Sequence, residues 1–136
     1  YSSLAYPVTY GAIPSTLDHD GDAIDVLIVG VTEPLPAGCL VEARIIGIMK
    51  FIDTDEVDDK VITVLNDDKR MDHIKTLEDI GEHALHEMQH YFEHYKDLKK
   101  PGLCKVLGFE DITSAVAAIK DCADRYTTDY LPLLDK

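Results

Sequence analysis

The 136 residues include 26 acidic and 13 basic side chains, a formal net charge of −13. That balance is against nucleic acid and anionic membrane as partners, since both require a basic footprint, and it favours cations. The length suits one domain with its own core, and contents of 46% hydrophobic and 29% charged residues are those of an ordinary globular chain. Cys39, Cys104 and Cys122 include no CxxC pair, which points to a reducing, cytoplasmic setting rather than a disulfide framework. No apolar run approaches the roughly 20 residues that span a bilayer. No signal peptide opens the chain; it starts at Tyr1 without Met and is expected to be a piece of something longer.

In chain order, Tyr6-Pro7-Val8-Thr9-Tyr10-Gly11 reads as a compact aromatic turn, its tyrosines by themselves core or rim residues. Asp18, Asp20, Asp22 and Asp25 then fall within eight residues, and the last runs into the β-branched stretch up to Val29, the pattern of a buried strand. Carboxylates so closely spaced repel one another unless a positive charge lies between them, which suggests a divalent ion against the blander alternative of a solvated turn. Gly21 permits the bend between Asp20 and Asp22. Asp25 is out of phase with that pair and joins it only if the chain turns or bulges.

Glu33-Pro34-Leu35-Pro36-Ala37-Gly38 is a turn. Leu40 to Met49 is the next expected strand, with Val41, Ala43 and Ile45 on one face, Arg44, Ile46 and Ile48 on the other, and Gly47 marking a bulge or bend. A second acidic cluster, Asp53 to Asp59, precedes Lys60 and a strand from Val61 to Leu65. Taken alone it is a polar hairpin tip; if the two acid-flanked strands are neighbours, both clusters can face one pocket.

Thr76-Leu77-Glu78-Asp79 has the form of a capping box and opens a helix expected to run from Leu77 to Tyr95, with Leu85, Met88 and Phe92 inward. Cys104 to Gly108 is a short strand, and Asp111 caps a last helix through Ala115, Ile119 and Cys122. The tail from Thr127 is weakly patterned, with Pro132 arguing against a helix. The sum is an α+β fold: short strands in a small closed sheet or barrel, flanked by two helices.

Two patterns compete with the acidic site. Asp18-x-Asp20-x-Asp22 imitates an EF-hand, but the sixth and twelfth positions hold Ala23 and Val29 where Gly and Glu are needed. His86-Glu87-Met88-Gln89-His90 matches H-E-x-x-H on a helix, the zinc-peptidase pattern, but Glu93 and Lys96 stand where the extended motif has Gly and His. A solvated face or subunit contact suits that His-rich helix better. A chain of this charge binds an anion locally, through metal ions held by Asp clusters with Lys and Tyr donors around them, the arrangement that suits a magnesium-bound polyphosphate.

Asp20-Gly21-Asp22-Ala23-Ile24-Asp25-Val26-Leu27 resembles the D-G-D-P-x-D-x-L signature of soluble family I inorganic pyrophosphatases. Tyr6-Pro7 and Tyr10-Gly11 precede it in register; Gly47-x-x-Lys50, Asp53, Asp58, Lys60, Asp72-His73-Ile74-Lys75 and the run from His90 to Leu98 follow. The resemblance covers residues 4 to 110. It implies a five-stranded OB-like barrel with helices and Mg²⁺-dependent hydrolysis of pyrophosphate, with Mn²⁺ or Zn²⁺ as substitutes. By position, Asp20, Asp25 and Asp58 would hold a first ion, with Asp25 bridging to a second, and Asp53 and Asp58 an ion arriving with substrate. Asp22 would orient or deprotonate the water shared by the first two ions. Tyr10, Lys60, Tyr95 and Lys96 would bind phosphate. A homo-oligomer is implied, hexameric rather than dimeric, with the His-rich helix as assembly surface. Ala23 replaces the usual Pro without removing a ligand. The family also places a metal-site Glu and phosphate-binding Lys and Arg residues upstream of the Tyr6 region, none of which is in this chain. Residues 1–136 are therefore expected to form a pyrophosphatase domain without its N-terminal segment, with an open barrel and impaired activity.

Overall fold

The computed structural model describes residues 8–134; the Tyr6-Pro7 turn lies outside them. The strands are β1 (Thr9–Ala12), β2 (Asp25–Val29), β3 (Ala43–Asp53), β4 (Glu56–Val57), β5 (Lys60–Leu65) and β6 (Cys104–Glu110). They form one sheet in the order β1-β2-β5-β3-β4, with β6 also on β3. β2 and β5 run parallel and the other pairs antiparallel. β5 is buried from Lys60 to Val64, polar Lys60 and Thr63 included, as befits a central strand rich in Val and Ile. Among the described residues no pairing joins β1 to β6, so the six-stranded sheet is open: the small closed sheet or barrel expected from the strand pattern is not formed, and the open form expected with the resemblance is.

Each face of the sheet carries a core. On one, Leu27, Ile46, Met49, Phe51, Ile62 and Val64 pack with Met88, Tyr91 and Phe92 of α2 (Glu82–His94). On the other, Val26, Ile28, Ile48 and Val61 pack with Ala115 and Cys122 of α3 (Ile112–Arg125), which Asp111 caps by accepting the Ser114 N–H. The bulge at Gly47 is present, as a register shift between Ile45 and Gly47. Its consequence differs from the simple alternation expected: the extra residue returns Ile48 to the α3 face while Ile46 stays on the α2 face. Glycine is required there by close approach, since a Cβ would lie 2.5 Å from Leu77 Cγ and 2.8 Å from the Glu110 carbonyl oxygen.

Other boundaries also differ. Thr9–Ala12 is a strand rather than part of a turn, because pairing with β2 supplies the order that four residues with a glycine do not signal. β3 begins at Ala43 and runs on to Asp53. The expected single helix is two, α1 (Leu77–Ile80) and α2, divided at Gly81, whose φ of +91° no helix allows. The capping box at Thr76 and Asp79 is formed. The tail is helical after all: α3 passes through a π turn, Tyr126–Tyr130, into α4 (Leu131–Leu134). The wider i→i+5 turn precedes Pro132, whose ring would collide with the carbonyl four residues back in an unbroken α-helix. No helix among the described residues is long and apolar enough to cross a membrane.

Candidate active site

Strand alternation sends Tyr10, Asp25, Lys60 and Asp53 to the same side as Leu27, Ile62, Met49 and Phe51, so polar groups crown one end of the α2-side core. Asp25 and Lys60 are direct partners in the parallel β2–β5 pair. The Lys60 ammonium, on a side chain only 2% exposed, donates to Asp25 Oδ2 at 2.5 Å, Asp58 Oδ2 at 2.7 Å and Tyr10 Oη at 3.0 Å. It also lies 5.4 Å from the ring centroids of Tyr10 and Phe51. Burial opposes its charge, but the bonds from Asp25 and Asp58 outweigh that, and its pKa is raised. Asp58 is pushed up to about 6, first by burial and then by crowding against Asp25, which Lys60 only partly relieves. Among the described residues its buried Oδ1 has no hydrogen-bond partner.

The second acidic cluster is a hairpin tip and part of this site at once. Thr54 and Asp55, with φ of 51° and 67°, form the two-residue turn between Asp53 and Glu56, and Asp58 follows on the inward side. Asp53 Oδ2 accepts from Lys96 Nζ at 2.6 Å and from Tyr95 Oη at 3.3 Å, both just past the end of α2. Burial would raise the Asp53 carboxyl, yet Lys96 and the Thr54 hydroxyl hold it below its usual value. Tyr95 is pushed well up, by burial and then by the charge of Asp53, so its hydroxyl keeps its proton.

The structure therefore gathers Tyr10, Asp25, Asp58 and Lys60 in one knot and Asp53, Tyr95 and Lys96 in an adjacent one. It does not tie Asp20 or Asp22 to either. Among the described residues Asp20 Oδ1 accepts only the Asp22 N–H, at 3.0 Å, and Asp22 is exposed. Asp25 and Asp58 close around the Lys60 ammonium, and no three His, Cys, Asp or Glu side chains among the described residues converge on a common ion position. On the reverse side of the same strands Lys50 bridges to Asp59 at 2.8 Å, and Asp59 Oδ1 accepts the Phe51 N–H at 2.9 Å. That pair bears on the site by holding β3 against the Asp58 turn. Only the strand register reveals it; the sequence signal was one acid among five.

The H-E-x-x-H stretch is no zinc centre. His86 and Glu87 are 65% and 57% exposed, and Glu87 pairs back to His83 at 3.0 Å while His86 faces Glu82 at 3.7 Å. The EF-hand alternative fails too, since the loop leads into β2 rather than a helix.

A twisted sheet with carboxylates, lysines and tyrosine hydroxyls at its strand ends defines a class of site that can hold hard divalent ions against phosphate oxygens. The fold resembles solved inorganic pyrophosphatases: that of Neisseria gonorrhoeae at TM-score 0.87 and 44% identity, covering 91% of this chain and 72% of that one, and that of Thermus thermophilus at 0.85 and 42%, covering 92% and 72%. In sequence, the inorganic pyrophosphatase of Neisseria meningitidis serogroup B is 46% identical over 124 residues, 90% of this chain and 70% of that protein. The family model for inorganic pyrophosphatase matches residues 1–127. The chain belongs to the inorganic pyrophosphatase family, a group of metal-dependent hydrolases, and shares its OB-like α+β fold.

Proposed function

We propose that the chain hydrolyses pyrophosphate to two phosphates with Mg²⁺, at the end of the sheet where Asp25 and Asp58 share the Lys60 ammonium. That shared ammonium, in a chain of this family, is the observation that carries the reading. The residues suit a hard divalent ion: all the acids involved are oxygen donors, Asp58 Oδ1 is a buried acceptor without a partner among the described residues, and burial, with Asp25 beside it, pushes Asp58 up to about 6. Asp20, Asp25 and Asp58 would hold one ion, Asp25 would bridge to a second, and Asp53 with Asp58 would hold an ion brought by substrate; Mn²⁺ or Zn²⁺ would substitute. When bound, such ions supply Lewis acidity toward water and offset phosphate charge.

The chain's own residues supply the rest. Asp22, exposed at the turn, would orient water and accept its proton. Tyr10 and Tyr95 offer hydroxyls, and the raised pKa of Tyr95 keeps it a donor throughout the working pH range. Among the described residues Lys96 uses one of its three donors, on Asp53, and the other two would serve phosphate oxygens. Lys60 uses all three, so it reaches phosphate only by exchanging a carboxylate for it.

A cytoplasmic homo-oligomer, hexameric rather than dimeric, is part of the same proposal. The exposed His-bearing face of α2 supports it as an assembly surface, with His83 89% and His86 65% exposed. The strongly negative charge supports the exclusion of nucleic acid. The test is phosphate release from pyrophosphate, with Mg²⁺ and with excess chelator. Release that needs the metal supports the reading; none from folded protein sinks it.

A further inference from the structure

The loop bearing Asp20 and Asp22 leaves β1 at Ala12 and rejoins the sheet at Asp25. Its neck is closed by the Ile13 N–H on the Ile24 carbonyl at 3.1 Å. The Thr16 hydroxyl reinforces it, donating to the Ile13 carbonyl at 2.6 Å and accepting the Ile24 N–H at 3.1 Å. The far side of the loop is held by α3 instead. Leu17 is gripped at both backbone polar groups: its N–H donates to the Cys122 carbonyl at 2.9 Å, and its C=O accepts from Arg125 Nη1 at 2.7 Å. Arg125 is itself braced one turn back, where Nη2 donates to Asp121 Oδ2 at 2.6 Å, and Nη2 lies 3.5 Å from His19 Nε2.

The grip passes directly to the acidic turn. Asp18, only 5% exposed, accepts the His19 N–H on Oδ1 at 2.8 Å, with the Cys122 thiol 3.7 Å from that oxygen. Its backbone closes the turn from both ends: the Asp18 N–H donates to the Asp22 carbonyl at 2.7 Å, and the Gly21 N–H to the Asp18 carbonyl at 3.1 Å. Asp22 is thus fixed relative to Asp18, Asp18 to Leu17, and Leu17 to Arg125. Among the described residues Arg125 makes no hydrogen bond or ion pair with Tyr10, Asp25, Asp53, Asp58 or Lys60.

We infer that Arg125 is a positioning residue for pyrophosphate hydrolysis, setting through Leu17 and Asp18 where the Asp20–Asp22 turn stands relative to Asp25. The inference rests on the roles proposed for Asp20 and Asp22. Its physical content is a population. Without the clamp the turn samples other positions, and apparent metal affinity falls by the fraction of time it is misplaced, while catalysis at saturating metal survives. Arginine suits the task because its planar fork serves Leu17 and Asp121 together, which a lysine ammonium does less well.

The experiment uses the full 136-residue chain. Mn²⁺ binding is followed by electron paramagnetic resonance and calorimetry, phosphate release is titrated with Mg²⁺, and amide exchange is read in metal-free protein. For Arg125→Ala the expected result is roughly tenfold weaker Mn²⁺ binding and a matching rise in the Mg²⁺ needed for half-maximal rate. Maximal rate stays within about twofold, and the Asp18 and Gly21 amides exchange faster while those of β2 and β5 do not change. Arg125→Lys lies between, and Lys120→Ala, exposed on α3, behaves as wild type. Unaltered metal dependence in folded Arg125→Ala overturns the inference. Should that variant not fold, Asp121→Ala removes the brace together with the 4.0 Å contact of Asp121 to His19: a smaller shift the same way supports it, and none overturns it. Absence of phosphate release by the unsubstituted chain would refute the functional reading instead, and Mn²⁺ binding and amide exchange would still decide the role of Arg125.

Discussion

Two sets of carboxylates share one proposed site but are built differently. Asp25 and Asp58 stand on or beside strands, largely buried, and are neutralised by a lysine that the strand register places opposite Asp25. Asp20 and Asp22 ride on a loop, with no ion pair among the described residues; that loop meets α3 at Leu17, whose N–H donates to the Cys122 carbonyl and whose carbonyl accepts from the Arg125 side chain. The strand set cannot move without breaking the sheet, and its burial makes it demand positive charge. The loop set is free to meet water and substrate. The proposed ion ligands thus stand mostly on or beside strands, with Asp20 alone on the loop, while the proposed water-orienting group, Asp22, rides on the adjustable turn.

The comparison is broken most severely at Lys60. Lys60→Met leaves Asp25 and Asp58 buried without their cation, and should lower phosphate release by about 10³-fold, a loss in the range of a removed electrostatic donor. Removing one partner of a buried pair should also cost about 3–5 kcal/mol, read by urea unfolding of metal-free protein, and saturating Mg²⁺ should restore part of it. Unaltered stability would mean that Asp25 and Asp58 do not depend on the Lys60 ammonium for their burial.

Lys96→Met acts at the half-exposed edge of the site, on a lysine bonded to Asp53. Its expected effect is smaller, about tenfold in KM for pyrophosphate, with little change in melting temperature. A change in stability alone would make Lys96 structural.

pH sharpens the same contrast. Asp58 rises from 3.8 unfolded to about 6 folded, so the folded state binds the extra proton between those values. Its contribution therefore lowers the stability of metal-free protein as pH rises from about 4 to 6. Metal binding needs the ionised form, so Mg²⁺ affinity should weaken about tenfold per pH unit below 6 for one displaced proton. Calorimetry across pH 4 to 8 checks both signs. The smallest effect belongs to His90→Ala on the exposed face of α2: phosphate release within about twofold and stability within about 0.5 kcal/mol of wild type. Loss of phosphate release there would give this exposed face a part in the reaction that the account does not assign to it.

Much of the site was legible because acids packed this closely need a counter-charge, and because period-two alternation from Asp25 and Lys60 leads straight into strand cores. The H-E-x-x-H stretch shows the limit. Spacing places His86 and His90 one turn apart, but only the fold reveals that Glu87 pairs to His83 and that the helix turns this face outward. β1 escaped notice because its order comes from β2, and the Lys50–Asp59 bridge because it depends on register. The bulge at Gly47 was visible in the sequence, yet its effect of sending Ile46 and Ile48 to opposite faces was not, since one extra residue reverses every assignment beyond it. Nor did any pattern reveal that α3 holds the acidic loop, a contact between residues more than a hundred positions apart.

The division of labour between strand and loop is tested most directly by Asp22→Asn, measuring Mg²⁺ binding by calorimetry and phosphate release on the same sample. The account predicts metal binding within about threefold of wild type and a rate reduced at least 10²-fold, the range for losing a proton acceptor. A variant that binds Mg²⁺ and still releases phosphate at the wild-type rate would contradict it.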